Sequence, residues 1–265
     1  MDIRETFEQR GLIWIFAIKE LSARYRQTLL GPLWFFLQPL LMTGVFTLIF
    51  SKMLGVSTGR APAGLFYLSG LALWTYFSQV VTALGTGVRS HGALFRKVYF
   101  PRLTIMAAPL VSNAVQLVMH ITTFFVVALL SGPAGVSSLT ISPWAVPLLP
   151  LICVYVALMA LGVGLVIAAM SIRFRDLHSL VTFLLQMWMF GTPIIWDTAP
   201  GGERWRFILD LNPMAWPIRA FRGLFLDTSM PTSREIIFGS MITILLIAVG
   251  IVLFRRAVRD GVDVL

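Results

Sequence analysis

The sequence predicts an all-α, polytopic membrane protein with six transmembrane helices. Three observations carry that prediction. The 265 residues are 57% hydrophobic and only 12% charged, about half of the roughly 25% charged share of a soluble domain. Runs of roughly 20 apolar residues recur along the chain, each long enough to cross a hydrocarbon core of about 30 Å. No Asp or Glu falls inside any of these runs.

Residues 1–32 come before the first run and form a separate amphipathic segment. Trp14, Ile18, Leu21 and Tyr25 follow a 4-3-4 spacing that puts them on one helical face, with Lys19, Glu20, Arg24 and Arg26 as polar company. Such a helix lies along the cytoplasmic interface, with Trp and Tyr at headgroup level. It serves either as a simple anchor or as a collar that guides a lipid-borne substrate toward the spans.

The spans fall at about 33–54, 65–84, 103–131, 145–170, 178–196 and 236–254, within a transmembrane domain over 33–265. The third is overlong at 29 residues and must tilt, bend at Pro109 or begin in the interface. The fourth carries Pro147 and Pro150 near its start, and Ala160, Gly164 and Ala168 form a small-xxx-small row along it. Such rows let helices approach closely, within one chain or across a dimer. The fifth reads "HSLVTFLLQMWMFGTPIIW", and the sixth is an uninterrupted apolar run.

An even number of spans puts both termini on one side, and the distribution of Arg and Lys selects the side. Residues 1–32 hold five cations, 85–102 four, 171–177 two and the C-terminal tail three. On the other side, 55–64 holds one and 132–144 none. Both termini are therefore expected in the cytoplasm. The loop 197–235 is the exception, with five Arg balanced by five acids on the predicted outer side.

The formal net charge of +9 comes from 18 Arg and three Lys against 12 acids. In a membrane chain these cations anchor to anionic headgroups, so a nucleic-acid partner is not expected. The single Cys153 lies in an apolar run, which excludes a disulfide framework and a thiol metal site. No cleavable signal peptide is expected either, since the first apolar stretch is only "LIWIFAI". Ion-coupled transporters usually place ionisable groups at the midplane, and the spans offer only His120 as a titratable candidate at depth. The acids form no D-x-D pair, so lipid-linked transferase chemistry lacks its usual groups. Lys19, Lys52 and Lys97 are followed by Glu20, Met53 and Val98, so no P-loop is possible. If this chain pumps, its energy comes from another subunit, and no cofactor is expected in the chain itself.

One connection stands apart. "FRKVYFPR", residues 95–102, crowds three cations, three aromatics and a proline between two apolar spans. Pro101 stops any helix begun upstream. The aromatics either dip into the membrane interface while Arg96 and Lys97 snorkel, or they anchor a protein partner.

The run "ELSARYRQTLLGPLWFFLQPLL", then "FRKVYFPR", "SIRFRDL", "TPIIW" and "LNPMAWP" resembles, in order and over nearly the whole chain, the membrane subunits of ABC-2 type exporters. The resemblance is strongest to the polysaccharide branch, which moves O-antigen, capsule or teichoic acid chains. It implies a homodimer docked on two copies of a cytoplasmic ABC ATPase that binds ATP and Mg. It also implies that Phe95, Arg96, Lys97, Val98 and Tyr99 form a coupling helix seated in the ATPase. The cargo is then a polyprenyl-pyrophosphate-linked glycan that enters near Arg24 and Arg26. It follows a path lined by aromatics, for which Trp34, Phe35, Phe36, Phe46, Phe50, Trp188 and Phe190 are candidates, with Trp196 beyond them. Phe35, Met42, Phe46 and Phe50 are expected to share one helical face, which favours Phe46. Short re-entrant helices between spans five and six are implied as an outer gate. Asn212, Pro213, Trp216, Arg219 and Arg222 fall there, with the two arginines placed to meet anionic sugar or lipid phosphate. Alternatives are an exporter of a small hydrophobic substrate, a membrane-embedded glycosyl- or acyltransferase, and an ATP-independent flippase or channel.

Overall fold

The computed structural model of this chain describes residues 10–25, 29–90, 102–131, 139–174, 177–196 and 210–260. Among the described residues the regular structure is helical throughout. Helix α1 spans Arg10–Tyr25. A 3-10 turn over Gly31–Leu33 leads into α2 (Trp34–Phe46), which continues as π-helical turns over Thr47–Met53. Then follow α3 (Ala63–Ser90), α4 (Arg102–Leu130), α5 (Ala145–Arg173), α6 (Leu177–Phe190), α7 (Ala215–Phe225) and α8 (Ser233–Asp260).

Among the described residues, four stretches are long and apolar enough to cross a membrane: Gly31–Met53, Ala107–Leu130, Ala145–Ile172 and Ser233–Ala257. They coincide with the first, third, fourth and sixth predicted spans. Helix α3 covers the second with 28 residues, about 42 Å at 1.5 Å per residue. It is the central helix, and every residue from 65 to 74 is buried.

The fifth span departs from expectation. Helix α6 stops at Phe190 after 14 residues, about 21 Å. Residues 191–196 continue without helix, beginning with Gly191 and Pro193, both poor helix formers.

The small-residue row of α5 packs within the chain. A Cβ at Gly164 would run into the Leu84 side chain of α3, and Ala160 and Ala168 are fully buried. The opposite side of α5 meets α8 just as closely. A Cβ at Gly250 would lie 2.9 Å from the Gly162 carbonyl oxygen, and one at Gly162 3.0 Å from the Ile247 amide nitrogen. Helix α5 is thus the middle of a three-helix layer, with α3 and α8 on its two sides.

One expectation about a helix face is corrected. On α2 the buried line runs through Phe35, Pro39, Thr43 and Phe46, so Met42 falls beside it and is exposed. The π-helical turns then rotate Phe50 to a half-buried position against Phe46, ring centroids 5.3 Å apart. On α1, which packs along α4, Ala17 is buried while Trp14, Ile15 and Ile18 are exposed. Glu20 turns inward rather than to water, because Ser112 Oγ of α4 donates to its carboxylate at 2.9 Å.

Helix α7 is enclosed over nearly its whole length. Ten of its eleven residues are buried. Phe221 and Phe225 stack edge-on against Phe124 of α4, and Phe225 also meets Phe125. The backbone amides of Thr140 and Ser142 donate to the Phe225 and Leu224 carbonyls at its C-terminal end.

Candidate functional site

The early end of α6 poses a physical problem. A helix leaves its last carbonyls without intrahelical partners, and in a hydrocarbon setting each unsatisfied backbone group costs several kcal/mol. Irregular backbone at such depth survives only where protein encloses it. The segment from Ala215 to Phe225, with Asn212 just before it, supplies that enclosure.

Asn212 ties the two elements together. Its Nδ2 donates to the Gly191 carbonyl at 2.9 Å and to Thr192 Oγ1 at 2.9 Å. Its Oδ1 accepts from Trp188 Nε1 at 3.1 Å and from the Met214 amide at 3.0 Å. Thr192 Oγ1 in turn donates to the Trp188 carbonyl at 2.8 Å. Pro213 then exposes a carbonyl 3.1 Å from the Tyr155 hydroxyl of α5, and the Trp216 ring lies 4.3 Å from that of Tyr155, centroid to centroid. The same hydroxyl is 2.8 Å from Thr243 Oγ1 of α8. Replacing Asn212 by leucine keeps the volume and removes every one of its bonds. Asn212→Leu is expected to cost about 2–4 kcal/mol, because the Gly191 carbonyl at the helix end, the Thr192 hydroxyl and the Trp188 indole N–H lose their partner. Thermal unfolding in detergent measures it, and an unchanged transition would show that the joint does not depend on this amide.

Arg222 closes the remainder of the gap. It is fully buried. Nη1 donates to the Pro193 carbonyl at 2.6 Å, and Nη2 to the carbonyls of Ile194 and Phe66, both at 3.0 Å. Nε donates to Ser69 Oγ at 3.1 Å, and the guanidinium carbon sits 3.5 Å above the Phe66 ring centroid. Three carbonyl dipoles, a hydroxyl and an aromatic face thus replace water around one charge. The planar fork of Arg suits this task, since its five donors diverge from a rigid centre. Gly70 makes room for it: a Cβ there would sit 2.7 Å from Nη2.

Arg219 pairs with Glu235 at the start of α8, and both are buried. Glu235 also closes the helix N-terminus. Its Oε2 accepts from the Thr232 amide at 2.7 Å, while its own amide approaches Thr232 Oγ1 at 3.4 Å. This is a reciprocal capping box. The motif "TSRE" ahead of an apolar run signals it in the sequence, and sequence reasoning passed over it. Gly70 and Ser69 carry no signal of their contact with Arg222 until the chain is folded.

The predicted gate residues are therefore brought together, but the two arginines have protein partners instead of a sugar or a phosphate. The predicted path residues divide. Phe35 and Phe46 are buried within the chain, and Phe46 also meets Tyr67 at 6.0 Å. Phe36, Phe50, Trp188 and Trp196 are half-buried, while Trp34 and Phe190 are exposed. Trp188 packs edge-on against Phe77 and Trp74, at 5.3 and 6.3 Å. Phe95, Arg96, Lys97, Val98 and Tyr99 lie outside the described residues, as does Arg26. Arg24 is on α1, with its side chain outside the described part. His120 is buried in α4, and its ring nitrogens find no hydrogen-bond partner. Among the described residues no three His, Cys, Asp or Glu side chains gather as a metal site would require.

The architecture is that of a multi-pass helical membrane domain whose broken fifth segment is locked from within. The family model described as ABC-2 type transporter matches residues 11–226, which includes α1, the broken segment and the whole of α7. The chain belongs to the ABC-2 type transporter family. It is 27% identical over 247 residues to the O-antigen export system permease protein RfbA of Myxococcus xanthus, covering 92% of each chain. Two proteins of that name from Klebsiella pneumoniae are 26% and 24% identical, over 92% of this chain and 91% of theirs.

Proposed function

We propose that this chain is the membrane permease subunit of an ATP-driven exporter that moves a lipid-linked polysaccharide of the O-antigen type across the bacterial cytoplasmic membrane. One observation carries the reading: three proteins named as O-antigen export permeases match it over nearly their full length as well as its own.

In this reading the working unit is a homodimer docked on two copies of a cytoplasmic ATPase, which binds ATP and Mg. Each chain crosses six times, with α3 and the α6–Trp196 segment adding two passes to the four apolar helices. Both termini then face the cytoplasm. Burial of two cations supports this orientation. Of the five Arg in 197–235, Arg219 and Arg222 are enclosed in protein. Their enclosure weakens the one exception to the charge rule. The cargo is a polyprenyl-pyrophosphate-linked glycan that approaches at the α1 interface, near Arg24 and Arg26. ATP binding and hydrolysis in the partner move residues 95–99, and the spans open a path at the dimer seam. The α6–α7 joint forms its outer end.

Arg96→Ala with Tyr99→Ala is expected to leave the chain in the membrane and cut export at least tenfold. Surface glycan, set against glycan retained inside the cell, reads this out. Full export by the double variant would overturn the coupling role.

A further inference from the structure

Between α3 and α6 lies an open cavity of about 580 Å³, lined also by Glu20 of α1. That volume falls within the range of small-ligand sites, roughly 300–1,000 Å³. Its wall on α3 carries Ser78, Thr82 and Thr86. Their spacing of four residues stacks the hydroxyls on one face. These three are half-exposed, as are Thr75, Gln79 and Ala83 of the same helix.

Each of these hydroxyls is already committed as a donor. Ser78 Oγ donates to the Thr75 carbonyl at 3.1 Å, Thr82 Oγ1 to the Ser78 carbonyl at 2.8 Å and Thr86 Oγ1 to the Thr82 carbonyl at 3.1 Å. What a hydroxyl keeps after donating is its lone pairs. The α3 wall therefore presents a ladder of acceptors. From Ser78 to Thr86 it runs about 12 Å at 1.5 Å per residue. Gln186 of α6 faces it with an amide that can both donate and accept. Trp74 also lines it. Among the described residues no Lys or Arg lines the cavity, and the charged residue in its lining is the acid Glu20.

We infer that this cavity is a binding subsite for uncharged, hydroxyl-rich sugar units, and that it disfavours anionic ones. A ladder of acceptors with one carboxylate matches a ligand that brings many O–H donors. It repels phosphate and uronate groups, which bring acceptors and negative charge. The pyrophosphate end of a lipid-linked substrate is accordingly held elsewhere. The inference rests on the export reading for its substrate, and it adds a selectivity for neutral chains.

The test uses the purified full chain in nanodiscs, titrated with maltotriose or with trigalacturonate and followed by saturation-transfer NMR. Saturable maltotriose binding is expected, with trigalacturonate at least tenfold weaker. Thr82→Val with Gln186→Leu should weaken maltotriose at least tenfold. Thr122→Val, on an exposed site of α4, should leave it unchanged. Glu20→Gln should narrow the gap between the two sugars. A matched thermal transition for each variant excludes misfolding as the cause. Absent maltotriose binding, equal binding of the acidic sugar, or an indifferent double variant would each overturn the inference. Normal export alongside any of these would sink the subsite and leave the permease reading standing. Binding as expected without ATP-dependent export would do the reverse.

Discussion

Replacing Arg222 by methionine is expected to destabilise the chain by about 3–5 kcal/mol and to abolish export. The substitution removes a buried charge together with four donor contacts. It leaves the Pro193 and Ile194 carbonyls without their donor, in backbone that has no helix to fall back on. Hydrogen bonds to charged groups contribute about 1.5–3 kcal/mol each, and a buried carbonyl left alone costs about 1–3 more. Partial relaxation keeps the sum below the simple total. Arg222→Lys should rescue little, because an ammonium cannot reach Ser69 and three diverging carbonyls at once. Gly70→Ala reaches the same result from the opposite side. Its new Cβ would sit 2.7 Å from Nη2 and push the guanidinium out of place. The two effects run through one group, so the double variant should be no worse than Arg222→Met alone. Thermal unfolding in detergent measures all three. Additive losses would mean that Gly70 acts on something else.

The second large effect concerns Arg219 and Glu235. Glu235→Leu removes the partner of a buried arginine and, with it, the cap of α8. Breaking a buried pair from one side costs about 3–5 kcal/mol, because a lone charge is left out of water. Arg219→Met with Glu235→Leu removes both charges, and apolar replacement of a whole pair is often neutral. The double variant should therefore recover most of the loss, short of about 1 kcal/mol for the missing cap. Unfolding of the double variant at or below the temperature of Glu235→Leu would contradict this account of the pair.

Much of the helical frame was legible because hydrophobic length is a local property. The four apolar crossings follow from runs that need no partner to be recognised, and α3 follows with them. The α6 break was signalled by Gly191 and Pro193, but the surrounding "MWMF" and "IIW" are so apolar that length outweighed the breakers. The small-residue row on α5 announced close packing without saying against what. Leu84 of α3 answers that, and the Gly162–Gly250 approach on the other side has no regular spacing to betray it.

The site was less legible for a different reason. Arg219 and Arg222 look in sequence like surface cations near a sugar, since a lone Arg in a loop is usually exposed. Their partners come from residues 66, 69, 193, 194 and 235, which meet only after the chain folds. Asn212 was singled out through its Asn-Pro pattern, yet its bond to Trp188 joins a residue expected in the gate to one expected in the path. The polar ladder of α3 went unread because Ser78, Thr82 and Thr86 each pass for ordinary back-bonded hydroxyls within a span. Only the opening between α3 and α6 gives them a common purpose.

The most direct measurement uses inverted membrane vesicles that hold this chain and its ATPase partner, loaded with polyprenyl-pyrophosphate-linked glycan on the outer, cytoplasm-derived leaflet. Glycan protected from an added glycosidase is measured with time. Protection that requires ATP, this chain and the ATPase together is the predicted result. Protection that proceeds without ATP, or that persists when this chain is omitted, would contradict the assignment of the chain as the permease of an ATP-driven glycan exporter.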